Sequence, residues 1–135
     1  MVDGANWGQD WQRIMYLRAG DLLESDPLRN LIFSVHMYEV YGSEDTVRDY
    51  LSRFSNQGWC LVVGEFANTH YGKPVDAKAI LRWAEHLGFG YLGWSWSGNN
   101  PDTAALDLVE YFDSDRLTEW GRLLFHSEHG IANTA

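Results

Sequence analysis

The sequence predicts an α/β fold in which parallel strands alternate with helices. Three short segments rich in β-branched and aromatic residues are each followed by a helical apolar pattern, and a strand stub with its own helix precedes them. Helices between successive strands indicate parallel strands joined by right-handed crossovers. A closed eight-stranded barrel of this kind needs about 250 residues. The chain has 135, so it predicts four β/α units, half of such a barrel, in a single domain spanning residues 1–135.

The first unit is a stub at residues 1–4 and a helix. The stub, Met1-Val2-Asp3-Gly4, is interpreted as the end of a strand whose beginning is missing. Residues 11–24 follow it with apolar side chains at helical spacing, at positions Ile14, Met15 and Leu17. The first strand of the four is therefore expected to be truncated.

The second unit begins after the turn signal Asp26-Pro27. Residues 30–38 predict a strand, and alternation places Ile32, Ser34, His36 and Tyr38 on one side of it. Ser43 is then a helix N-cap followed by acidic residues, and Gly58 stands at the expected helix end. Between them the apolar positions recur at helical spacing, namely Val47, Tyr50, Leu51 and Phe54.

The third and fourth units repeat this arrangement. Residues 59–66 predict a strand, and Asp76 and Gly88 bound a helix with the apolar positions Ile80, Trp83, Ala84 and Leu87. Residues 89–96 predict the last strand, and the final helix is marked by Leu117, Trp120, Leu124 and Phe125. Cys60 is the only cysteine, so an internal disulfide is excluded, and we expect its side chain in the core.

Charge and hydropathy limit the classes of partner that the chain is expected to bind. The net charge is −9, with 10 Lys and Arg scattered among 19 Asp and Glu, which argues against nucleic acid and anionic membrane surfaces. No apolar run approaches the ~18 residues of a membrane span, and no leader-like segment is recognised at the start. A neutral ligand is favoured. The seven Trp and seven Tyr suit stacking on sugar rings as well as core packing, the commoner role of a single aromatic residue.

Neither a nucleotide cofactor nor a metal is predicted. Residues 88–93 match the spacing G-x-G-x-x-G, but they lie between a helix and a strand, the reverse of a dinucleotide-binding arrangement. His126, Glu128 and His129 fall in a polar tail without a further strong ligand nearby.

Glu65 is the candidate catalytic residue. It closes the apolar run Leu61-Val62-Val63-Gly64-Glu65-Phe66, and an unpaired carboxylate in such a place costs several kcal/mol. It also precedes a loop at the carboxyl end of a strand, where parallel α/β folds place their chemistry. His36 and Tyr38 end the preceding strand. Hydrogen bonds from their side chains can keep the carboxylate ionised and fix its orientation. The alternative for Glu65 is a purely structural carboxylate. The alternative for His36 and Tyr38 is a hydrogen-bonded pair in the core.

Two pairs of tryptophans are candidates for sugar binding. Trp94 and Trp96 share one face of the last predicted strand, and Trp94 can form a floor for a sugar ring. Trp7 and Trp11 bracket the loop after the stub, with the polar residues Asn6, Gln9 and Asp10 beside them. The alternative for Trp94 and Trp96 is packing in the core. The alternative for Trp7 and Trp11 is an ordinary surface loop.

Four segments, residues 2–11, 33–38, 62–66 and 93–99, resemble in this order strands five to eight of glycoside hydrolase family 5, and within it the bacterial β-mannanases. The tail, with Ala105-Leu106-Asp107 and residues 117–121, is similar to the end of those enzymes. The resemblance implies the C-terminal half of a (β/α)₈ TIM barrel that acts on a β-linked, mannan-like polysaccharide or oligosaccharide without a cofactor. It also implies a family that is mostly secreted.

The resemblance further implies a role for each site residue. Glu65 matches the nucleophile of a retaining glycosidase, and His36 and Tyr38 match the pair that orients it beside the cleaved sugar. Trp94 matches the aromatic platform under that sugar. Trp7 matches a loop that contacts substrate.

One departure from the family pattern concerns the acid/base. A retaining glycosidase uses two carboxylates about 5–5.5 Å apart, and in this family the acid/base glutamate follows an asparagine on strand four. No Asn-Glu pair occurs in the sequence, strands one to four are not represented, and Met1 falls inside the segment that resembles strand five. Glu39 is the other carboxylate at a nearby strand end, but alternation points it away from His36 and Tyr38.

Half a barrel leaves two strand edges and an inner face uncovered. The expected inner face carries Ile32, Ser34, His36, Tyr38, Leu61, Val63 and Glu65. Such a surface predicts a homodimer or a higher oligomer. The alternatives to catalysis are a carbohydrate-binding remnant and a structural half barrel without chemistry.

Overall fold

The computed structural model describes residues 1–134. In chain order its elements are β1 Val2–Asp3, α1 Ile14–Ser25, β2 Phe33–Met37, α2 Glu44–Asn56, β3 Leu61–Phe66, β4 Thr69–His70, β5 Lys73–Pro74, α3 Ala77–Leu87, β6 Gly90–Gly93, α4 Glu119–His126 and α5 Ile131–Thr134. Two 3₁₀ turns, Glu39–Tyr41 and Ala104–Leu106, stand between them. No helix among the described residues is long and apolar enough to cross a bilayer.

The main sheet has four parallel strands in the order β1-β2-β3-β6. The two-stranded antiparallel hairpin β4-β5 follows β3 directly and is separate from that sheet. Successive strands of the main sheet are neighbours, and a helix lies between each pair of them in the chain. The prediction of an α/β fold with parallel strands is confirmed.

The two middle helices begin and end where their capping residues predict. Ser43 accepts a hydrogen bond from the Thr46 amide at the start of α2, and Asp76 accepts one from the Ala79 amide at the start of α3. Gly58 and Gly88 follow these helices with φ of 66° and 71°, a conformation that glycine adopts without a steric penalty.

Strand β3 contains a bulge that reverses its side-chain alternation. Val63 lies opposite Val35, whereas Glu65 lies opposite His36, so Gly64 is an extra residue between two aligned pairs. The pairing of β3 with β6 shifts over the same stretch. A bulge of this kind turns the residues beyond it toward the other face.

The two faces of the sheet differ from those predicted. Leu61 and Val63 align with Phe33 and Val35 and are buried with them, so their expected place on the inner face is wrong. The side of the sheet that carries these four residues, called the helix face below, packs against helices α1, α2 and α3. The helix residues in this core include Met15, Ala19, Val47, Leu51, Phe54, Ile80 and Leu81. The opposite face, called the inner face below, carries Ser34, His36, Val62 and Glu65.

Several element boundaries and one burial prediction need correction. Helix α1 begins at Ile14 rather than at residue 11, β2 ends at Met37, and β6 ends at Gly93. The short helix α5 is not apparent in the sequence pattern. Cys60 is exposed, and it lies one residue before β3 rather than within the strand.

Candidate active site

A cavity of about 670 Å³ lies at the carboxyl ends of the main-sheet strands. Residues that follow β1, end or follow β2 and β3, and follow β6 all line it. It brings together the five residues that the sequence singles out, namely Trp7, His36, Tyr38, Glu65 and Trp94. The placement agrees with the rule that parallel sheets bind ligands beyond the carboxyl ends of their strands.

Glu65 reaches this cavity with two polar neighbours. The Tyr38 hydroxyl donates a hydrogen bond of 2.9 Å to Glu65 Oε2. His36 Nδ1 lies 3.4 Å from the same oxygen, and the side chains of His36 and Glu65 are 20% and 25% exposed. Both contacts involve Oε2, and neither involves Oε1.

His36 is fixed from the β1 side of the sheet. Its backbone amide donates to the Gly8 carbonyl oxygen at 2.9 Å. Its ring Nε2 lies 3.6 Å from Asp3 Oδ1 at the end of β1. Gly8 has φ of 81°, and a Cβ at this position would overlap the His36 ring. The sequence Asp3-Gly4-Ala5-Asn6-Trp7-Gly8 therefore shapes one wall around the imidazole.

Tyr38 acts on Glu65 as a neutral donor. Burial, the hydrogen bond to Glu65 and the nearby charges of Glu65 and Glu39 raise the pKa of Tyr38 far above its usual range. Its proton therefore stays on the phenol at every physiological pH. Tyr38 is 6% exposed, and the hydrogen bond directs its hydroxyl to Glu65 Oε2.

Aromatic side chains stand at both ends of the cavity. Trp7 is 85% exposed and stacks on Trp11, with ring centroids 5.9 Å apart, in the loop after β1. Trp94 lies on the β6 side and is 43% exposed. The Trp94 amide donates to the Phe66 carbonyl, and the Trp120 indole donates to the Trp94 carbonyl. These contacts fix the backbone of Trp94.

Trp96 is not part of the cavity wall, although alternation placed it beside Trp94. Strand β6 ends at Gly93, so alternation no longer applies at the two tryptophans, and the Trp94–Ser95 peptide is cis. Trp94 alone remains a candidate sugar platform.

Glu39 and His70 also line this cavity, which the sequence pattern does not predict. The expectation that Glu39 points away is wrong, because β2 ends at Met37 and Glu39 opens a 3₁₀ turn. His70 Nδ1 lies 2.5 Å from Glu39 Oε2. The sequence signal for His70 was its place in the loop directly after Glu65.

Two polar residues of the loop after β1, Gln9 and Asp10, have different roles. Gln9 lines the cavity. Asp10 is completely buried and accepts hydrogen bonds from the Met15 and Tyr16 amides and from the Tyr50 hydroxyl. Asp10 therefore holds the loop against the helices, and it does not face a ligand.

The arrangement combines a held carboxylate with a neutral donor, an imidazole and flat aromatic surfaces. A carboxylate with one free oxygen can attack an electrophilic carbon, and the aromatic rings can hold the apolar face of a sugar. Among residues 1–134, no three His, Cys, Asp or Glu side chains are grouped as metal ligands.

Comparison with known proteins identifies the family. The model of the cellulase family, glycosyl hydrolase family 5, matches residues 1–100. A mannan endo-1,4-beta-mannosidase from Cellvibrio japonicus is 55% identical over all 135 residues, and one from Streptomyces lividans is 48% identical. The matches cover 31% and 35% of those proteins, so the chain spans about a third of their length.

Solved structures give the same result for the fold. A beta-mannanase from Streptomyces thermolilacinus, crystallised with mannohexaose, superposes with a TM-score of 0.95 at 45% identity. The beta-mannanase from Thermomonospora fusca superposes at 0.94 with 46% identity. Each match covers at least 99% of this chain and 44% of the other. These neighbours are TIM barrels, and the prediction of half a (β/α)₈ barrel is confirmed.

Proposed function

The chain belongs to the cellulase family, glycosyl hydrolase family 5, and from that membership we propose that Glu65 is the nucleophile of a retaining glycosidase acting on mannan-like β-linked glycans. The observation that carries the proposal is the bulge in β3, because it places Glu65 beside His36 and within 2.9 Å of the Tyr38 hydroxyl. The mannanase-like relatives supply the substrate class.

In the proposed reaction a Glu65 oxygen forms a bond to the anomeric carbon while the bond from that carbon to the leaving oxygen breaks. The leaving oxygen takes a proton, and water then hydrolyses the glycosyl-enzyme ester to release the sugar with retained configuration. Tyr38 and His36 hold Glu65 in place. Trp94 lies under the reacting sugar, and Trp7 contacts the glycan at the far end of the cavity.

The proton for the leaving oxygen is not assigned to a residue of this sequence. The family's acid/base follows an asparagine, and the sequence has no Asn-Glu pair. Loss of general acid catalysis lowers rates about 10²–10⁴-fold. We therefore expect negligible cleavage of polysaccharide by this chain alone, and measurable attack only on substrates whose leaving group needs no proton.

A 2,4-dinitrophenyl β-mannoside provides such a substrate. We expect release of dinitrophenolate and a covalent mannosyl adduct on Glu65, detected by intact-protein mass spectrometry after an acid quench. Glu65→Gln abolishes both signals. Glu85→Gln, which changes an exposed glutamate on α3, leaves both unchanged. An adduct that persists in Glu65→Gln would contradict the assignment.

Carbohydrate binding without catalysis is the second candidate. The observation that favours it is the exposed stack of Trp7 on Trp11 in the loop after β1, which lines the cavity and makes no recorded contact with Glu65. Calorimetry with mannohexaose separates the two functions. Binding that persists in Glu65→Gln but is lost in Trp7→Ala, without any adduct in the unsubstituted chain, would support binding alone.

Self-association is proposed from the same architecture. Within residues 1–134, β1 and β6 each have a partner strand on one side only. Leu92 in the edge strand β6 is 57% exposed, and Ile32, just before the interior strand β2, is 43% exposed. A twofold dimer would cover such surfaces, and a stable one buries about 2,000 Å² or more.

A further inference from the structure

The cavity contains a second carboxylate, Glu39, that the proposed reaction does not use. Its side chain is 29% exposed and lies 2.5 Å from His70 Nδ1. Partial burial raises the pKa of Glu39, but hydrogen bonds from His70, from its own backbone and from Gln9 outweigh burial and leave the pKa below its usual range. The contacts of Glu39 thus join it to His70, and the proposed reaction gives it no proton-transfer step.

His70 connects Glu39 to the residue that holds the nucleophile. Its ring stacks on the Tyr38 ring, with centroids 4.4 Å apart and planes inclined by 27°. Its side chain is 18% exposed. Glu39 thus holds the imidazole, the imidazole covers one face of Tyr38, and the Tyr38 hydroxyl donates to Glu65.

The hairpin β4-β5 fixes His70 from outside the main sheet. Thr69 pairs with Pro74 and His70 with Lys73, and the Thr69 hydroxyl donates to the Lys73 carbonyl oxygen at 3.0 Å. The hairpin follows directly after the strand that ends with Glu65 and Phe66. One short segment of chain therefore supplies both the candidate nucleophile and a support for its tyrosine.

We propose that Glu39 and His70 form a positioning pair that keeps the Tyr38 hydroxyl on Glu65. The inference rests on the proposed function in assigning Glu65 as the nucleophile, but the contact it describes exists in the free protein. Without His70, one face of Tyr38 loses its partner and the hydroxyl leaves Glu65 more often. Loss of one offset-stacked aromatic contact is expected to raise the population in which the Tyr38 hydroxyl is away from Glu65 by about two- to tenfold.

The direct test is the exchange rate of the Tyr38 hydroxyl proton with water, measured by NMR in the complete chain and assigned by its loss in Tyr38→Phe. His70→Ala raises the rate about two- to tenfold. His70→Phe, which retains a ring over Tyr38, restores most of the protection. Glu39→Gln gives a smaller increase of about twofold, because the ring stays but is held less firmly.

The chain offers a matched control in Glu85→Gln. Glu85 Oε2 lies 2.5 Å from His129 Nδ1, the same contact as in the Glu39–His70 pair, but at a different cavity. Glu85→Gln leaves the exchange rate of the Tyr38 hydroxyl unchanged. A role that is only structural would lower the urea midpoint in His70→Ala without raising this exchange rate under native conditions.

Labelling of Glu65 by the dinitrophenyl mannoside provides the second readout. The rate constant of labelling falls about two- to tenfold in His70→Ala, while the reagent concentration at half-maximal rate stays the same. An unchanged Tyr38 exchange rate in His70→Ala overturns the inference whatever the labelling. If His70→Ala does not fold, an unchanged rate in Glu39→Gln overturns it. A raised exchange rate together with no labelling of the unsubstituted chain supports the positioning pair and contradicts the proposed function.

Discussion

At the scale of single residues, Gly64 determines where Glu65 points. Without the extra residue in β3, strict alternation would place Glu65 on the same face as Leu61 and Val63, among the helices. A Cβ at Gly64 would overlap Ser34 Oγ on the neighbouring strand. That hydroxyl is buried and has no hydrogen-bond partner among the described residues. The missing side chain at Gly64 thus permits close approach of two strands beneath the candidate site.

This contact predicts a specific coupling between two substitutions. Gly64→Ala is expected to lower the free energy of unfolding by about 1–3 kcal/mol, because the added methyl group overpacks the space beside Ser34. Ser34→Ala alone costs little, since its hydroxyl is unpaired. The double variant recovers at least about 0.5 kcal/mol relative to the sum of the single effects. Urea denaturation measures all three, and additive costs would show that the hydroxyl is not the obstacle.

At the scale of elements, the sequence predicts best what local chemistry determines. Helices α2 and α3 have capping residues and terminal glycines at the expected positions, because each cap involves only neighbours in the chain. The bulge at Gly64, the turn that begins at Glu39 and the hairpin β4-β5 depend on contacts between strands. Alternation therefore failed for Leu61, Val63 and Glu39, although the five predicted site residues still line one cavity.

Helix α1 shows a form of capping that the sequence does not reveal. Its N-cap residue, Arg13, makes no side-chain capping hydrogen bond. Asp10 instead accepts from the amides of Met15 and Tyr16 in the first turn, at 2.9 and 3.3 Å. The same carboxylate accepts from the Tyr50 hydroxyl on α2 at 2.8 Å. One buried side chain thus joins the Trp7 loop to two helices.

Asp10→Ala is therefore expected to cost much more than removal of an ordinary cap. It leaves a buried hydroxyl and two amides without their acceptor, and we expect a loss of about 3 kcal/mol in the free energy of unfolding. Asp76→Ala, which removes the half-buried cap of α3, is expected to cost about 1 kcal/mol. Urea denaturation of the two variants gives the comparison. Equal losses would show that Asp10 acts only as a local cap.

At the scale of the whole molecule, the helices cover one face of the sheet and leave the other open. Residues on the helix face, such as Phe33 and Val35, are fully buried. By contrast, Ile32, just before β2, and Leu92, in the edge strand β6, are 43% and 57% exposed. Exposed apolar side chains beside an unpaired strand edge favour association with another chain.

Substitution of Leu92 by lysine tests whether this surface forms the proposed dimer. A charge on an edge strand opposes strand pairing and is costly to bury, so Leu92→Lys is expected to weaken self-association at least about tenfold, equivalent to 1.4 kcal/mol. Leu17→Lys is the matched control, because Leu17 is 70% exposed on α1, away from the sheet. Light scattering across micromolar concentrations should give a dimer or larger species for the unsubstituted chain and for Leu17→Lys, and a monomer for Leu92→Lys. A folded monomer in the unsubstituted chain would contradict self-association, and a dimer that survives in Leu92→Lys would place the interface away from β6.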